Sequence, residues 1–94
     1  MAYSLDNLPQ HLKDQGWKVK IRDKERAEPP HVSIIKKKET WRWSLRDQSF
    51  LDKKPPPKKI PAELTEHLRS NLEILTKIWD QMYPHNPVSS EGNV

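Results

Sequence analysis

His31 is the side chain in this sequence best placed to do chemistry. It follows Pro29-Pro30, whose stiff backbone fixes its position, and an imidazole can act as base, acid or ligand near neutral pH. In a small ribonuclease-like toxin, His31 would move the proton while Arg22, Arg42 or Arg46 steadied a phosphate. A metal role is harder to build, because three or four ligands must converge. Ser33 breaks the His-x-His spacing, and His11, His67 and His85 show no ligand spacing to His31. The plain alternative is a structural or surface histidine. No Gly-x-Ser-x-Gly elbow occurs, and two glycines exclude a phosphate-cradling loop. With no cysteine there is no thiolate site and no disulfide framework, which fits a reducing compartment. No cofactor is implied.

The cations offer a second chemistry. Lys18, Lys20 and Arg22 alternate with Trp17, Val19 and Ile21; Arg42, Ser44 and Arg46 alternate with Trp41, Trp43 and Leu45. If the apolar members turn toward a core, the cations share the opposite face, with Lys36, Lys37 and Lys38 crowding its edge. Such a stripe neutralises phosphates with salt-dependent affinity, so these eight residues form a candidate nucleic-acid surface. Aromatic side chains, which single-strand readers use for stacking, alternate away from that face. A solvated face that discourages edge pairing, or a docking site for a protein partner, fits the same pattern. Charge is distributed to match: residues 17–59 hold fourteen Lys/Arg against six Asp/Glu, and the rest of the chain three against seven.

These residues need elements to hold them. Leu5 to Gln15 reads as a short helix, with Leu5, Leu8 and Leu12 at helical spacing and Gly16 as its C-cap. Trp17–Arg22, His31–Ile35 and Thr40–Leu45 read as strands, and Gln48–Leu51 as a short edge strand. Residues 52–61 form a Pro/Lys-rich linker in which Pro55-Pro56-Pro57 should be extended polyproline, a stiff spacer between sheet and helix. From Pro61, the residues Leu64, Leu68, Asn71, Leu72, Leu75, Ile78, Trp79 and Met82 mark one side of a helix running to Pro84. The four tryptophans belong to the core on this reading. The expected architecture is α+β: a small antiparallel sheet of three to four strands packed on a long C-terminal helix, with a short N-terminal helix. It forms one domain over residues 1–83, followed by a disordered tail, 84–94. No stretch nears the length of a membrane span and the start lacks signal-peptide features, so a cytoplasmic location is expected.

One block resembles a known family. Gly16-Trp17-Lys18-Val19-Lys20-Ile21, then Pro29-Pro30-His31-Val32, then a third strand and a helix ending near Trp79, look like a group of small bacterial domains of unknown function. In that family a glycine-led strand precedes an Asn-Asp-His loop and a Pro-Pro-His-x-His block. Here Ser33 takes the second histidine's place and Asp23-Lys24-Glu25-Arg26 the loop's, so His31 alone remains of that set. Genes of the family often lie beside antitoxin-like genes. The missing catalytic constellation and this resemblance together point to a non-enzymatic interaction module, and the resemblance implies one half of a toxin–antitoxin-like pair with an unknown protein partner. Nucleic-acid binding through the basic face and a ribonuclease-like toxin are the alternatives.

Overall fold

The computed structural model describes residues 3–22 and 28–88. The expected Asp23–Arg26 loop lies outside them. Four strands form one antiparallel sheet in the order β1-β2-β3-β4: β1 (Tyr3–Ser4), β2 (Trp17–Ile21), β3 (His31–Lys36) and β4 (Glu39–Ser44). The helices are α1 (Gln10–Asp14), α2 (Ala62–Ser70) and α3 (Leu72–Met82). The fold is α+β, as expected.

Period-two patterning decides the sheet's faces. Register places Val19 opposite Ile34 and Ile34 opposite Trp41, with Val32 opposite Trp43. These side chains join Leu64, Leu68, Leu75 and Trp79 in one buried cluster, so all four indoles turn inward. Tyr83 closes the cluster, its ring 4.2 Å from that of Trp79 and its hydroxyl donating to the Arg22 carbonyl.

Four elements differ from expectation. The N-terminal helix is confined to Gln10–Asp14, because the chain before it pairs with β2: Tyr3 lies opposite Ile21, and the Leu5 amide donates to the Val19 carbonyl at 2.9 Å. Leu5, Leu8 and Leu12 still reach the core. The single long C-terminal helix is instead two, parted at Asn71 (φ −108°, ψ 14°). The expected edge strand is reduced to one bridge, Trp43 to Phe50. The linker is not uniform polyproline: the Lys54–Pro55 peptide is cis and Pro57–Lys59 forms a 3-10 turn.

Residues 84–88, expected in a loose tail, are anchored instead. Trp79 Nε1 donates to the Asn86 carbonyl at 2.7 Å, Asn86 Nδ2 to the Glu28 carbonyl at 2.8 Å, and the Val88 amide to Asp80 at 2.8 Å. Buried donors need acceptors, and the indole of Trp79 finds its own just beyond Pro84. Residues 89–94 lie outside the described part. Among the described residues no helix is long and apolar enough to cross a membrane.

Candidate functional site

His31 opens β3 and is fully buried. Its Nδ1–H donates to the Pro29 carbonyl at 2.8 Å, and its ring lies 5.5 Å from that of Trp79. Nε2 stands 3.8 Å from Glu28 Oε1. Pro30 holds the approach by accepting from the Leu45 amide at 2.9 Å. The imidazole is thus clamped between a proline turn and an indole. Among the described residues no group of three or more His, Asp or Glu is arranged to hold a metal ion.

The cationic stripe is divided by the fold. Register sets Lys18, Ile35 and Thr40 in one row of the outer face, and Lys20, Ser33 and Arg42 in the next. Arg42 is committed to carboxylates. Its Nε and Nη2 grip both oxygens of Asp52 at 2.9 and 2.7 Å, and Nη1 reaches Glu28 at 2.9 Å. These hydrogen bonds, to Asp52 first and Glu28 second, hold the guanidinium's pKa above its ordinary value; Arg42 in turn pulls the Asp52 carboxyl below the usual range. Arg46 turns to the C-terminal segment and donates to the carbonyls of Val88 at 2.7 Å and Pro87 at 2.8 Å. Lys36 lies on the core side of the sheet's end, its Nζ 4.9 Å from the Trp17 ring centroid. Of the proposed face, Lys18 and Arg22 are exposed and Lys20 half-buried, a row along β2 alone. A shallow cleft of about 450 Å³ beside it carries Lys13, Lys18, Lys20 and Asp6 on its walls.

Lysines gather elsewhere, at the end of the sheet where β3 turns into β4. Lys37 and Lys38 form the exposed tip. The linker returns to the same place: Trp41 Nε1 donates to the Pro55 carbonyl at 3.0 Å, and Lys59 Nζ meets Glu39 at 2.8 Å. Lys36, Lys37 and Lys59 share the wall of a cleft of about 360 Å³ with Glu39, over Trp17 and Trp41. Exposed Lys58 adjoins Lys59 in the 3-10 turn. Sequence reasoning assigned Lys36–Lys38 to the rim of the basic face and the linker lysines to a spacer, and so missed their union. A signal existed: two Lys runs bracket Trp41, whose indole N–H needs an acceptor once buried.

Comparison with known proteins returns no match, whether to a family model, a curated protein or a solved structure.

Proposed function

We propose that this chain is a non-enzymatic interaction module. The observation that carries the reading is the complete burial of His31 beneath Trp79, with the neighbouring Glu28 already engaged by Arg42. A general acid or base must come within hydrogen-bond reach of its substrate. Here the imidazole instead braces the start of β3, and Arg42 is closed by two carboxylates. What the molecule offers a partner is surface. The family resemblance supplies the expected partner class, the product of a neighbouring antitoxin-like gene.

The test is incubation of the purified chain with labelled RNA, alone and with divalent cations. Intact strands are expected. Cleavage that His31→Gln abolishes while the variant stays folded would replace this reading with the ribonuclease one.

A second reading, nucleic-acid binding, is favoured by one observation: the lysines of the β3–β4 tip and of the linker converge on one end of the sheet.

A further inference from the structure

We propose that this lysine-rich end docks the phosphate backbone of a double-stranded nucleic acid; the inference rests on the interaction-module reading and adds a nucleic-acid partner to the protein one. Five lysines (Lys36, Lys37, Lys38, Lys58 and Lys59) gather there from two segments far apart in sequence, against the one carboxylate of Glu39 within those segments. That carboxylate is itself half-exposed and paired with Lys59, leaving the tip and Lys58 open to solvent. A polyanion is the complement to such an end.

Lys37 has φ 55°, the left-handed conformation that a two-residue hairpin loop between β3 and β4 demands. The duplex follows from the floor of the cleft. Trp17 is 4% exposed and Trp41 0%, so neither offers a ring face for an unpaired base to stack on. Lysine ammonium groups act as point charges on phosphates, without base readout, so affinity should be indifferent to sequence and steep in salt.

The experiment uses the full chain with a duplex DNA probe of about 20 base pairs and a single strand of equal length, followed by fluorescence anisotropy and on denaturing gels. If about four phosphates are engaged, binding should weaken roughly 100-fold between 50 and 200 mM salt. The duplex should bind more tightly than the single strand. Lys37→Glu/Lys38→Glu should weaken binding by roughly 10-fold or more, and Lys58→Glu in the same direction. Lys18→Glu/Lys20→Glu, which changes net charge by the same amount on the β2 row, should leave it within about 2-fold.

Equal losses from the two double variants would overturn the proposal, showing diffuse attraction instead of a site. So would absence of binding at 50 mM salt, tighter binding of the single strand, or tighter capture of poly-glutamate than of the duplex, which would transfer the surface to an acidic protein. Probe length on the gels reports separately: shortened strands would defeat the interaction-module reading, whereas intact but unbound strands would defeat this inference alone.

Discussion

Arg42 shows how a residue's neighbours decide its work. In isolation it is one cation in an alternating strand; in the fold its guanidinium is gripped in parallel by Asp52 and capped by Glu28. The planar fork matches the carboxylate, and the charge intended for a partner is spent inside the molecule. Both side chains remain partly exposed, 34% for Arg42 and 27% for Asp52, so screening holds the pair near the value of a good surface bridge. Asp52→Asn should therefore cost about 1 kcal/mol at neutral pH. The sign with pH follows from the depressed carboxyl. Its contribution is complete above the unfolded aspartate value of about 3.9 and disappears as pH falls through the lower folded value. Urea melts at pH 7 and in acid should show the wild-type advantage shrink as pH falls below the unfolded aspartate value; a gap that stays undiminished would mean the pair is not its source. None of this was visible in the sequence, because Asp52 follows Arg42 by ten residues with no period linking them. His31 was legible as special, since Pro-Pro fixes it, but its burial was not: that depends on Trp79, 48 residues on.

Strands β2 and β4 were legible because apolar and polar residues alternate along them and one face must be buried, and β3 through its β-branched residues, although it buries both faces from His31 to Ile34. Strand β1, at two residues, has no period to read. The C-terminal stripe was legible too, yet one residue in it, Asn71, is polar, and there the helix breaks. Its Nδ2 donates to the His67 carbonyl at 2.8 Å, competing with the regular helical pattern, while Oδ1 accepts from Asn7 at 3.0 Å. Asn7 Oδ1 in turn meets His67 Nε2 at 3.1 Å, so the interruption ties the N-terminal segment onto α2. A second tie, His11 to Glu63 at 2.7 Å, lies on the same side. Two effects oppose each other in Asn71→Ala. Alanine is the better helix former by about 0.6 kcal/mol, but the lost hydrogen bonds of a buried amide cost about 1–3 kcal/mol. Net destabilisation of about 1–2 kcal/mol is expected in equilibrium urea unfolding. A more stable variant would show that the break is incidental and that a single continuous helix serves as well.

At the scale of the molecule, the polarity of the two ends is different in kind. One end gathers exposed lysines from the hairpin tip and the linker; α2 and α3 expose Glu63, Glu66 and Glu73. The other end of the sheet, where His31 enters, is sealed by the chain's own C-terminal segment. Residues 84–88 accept from Trp79 and Arg46 and donate to the Glu28 carbonyl and Asp80, so they satisfy groups on α3, on the turn after β4 and on the segment leading into β3 at once. Proline-rich, polar composition after a helix normally reads as fraying, and that composition hid the role: acceptors here are backbone carbonyls, which every sequence has. Ending the chain after Tyr83 should strip an acceptor from a fully buried indole and three from Arg46. With about 1–3 kcal/mol for each buried donor left without a partner, the loss is at least about 2 kcal/mol. For a domain of this size that lowers the melting temperature by roughly 10 °C. The indole over His31 should also loosen, seen as a red shift of tryptophan emission before the main transition. An unchanged melting temperature would mean that residues 84–88 rest on the surface and that Trp79 holds His31 in place without them.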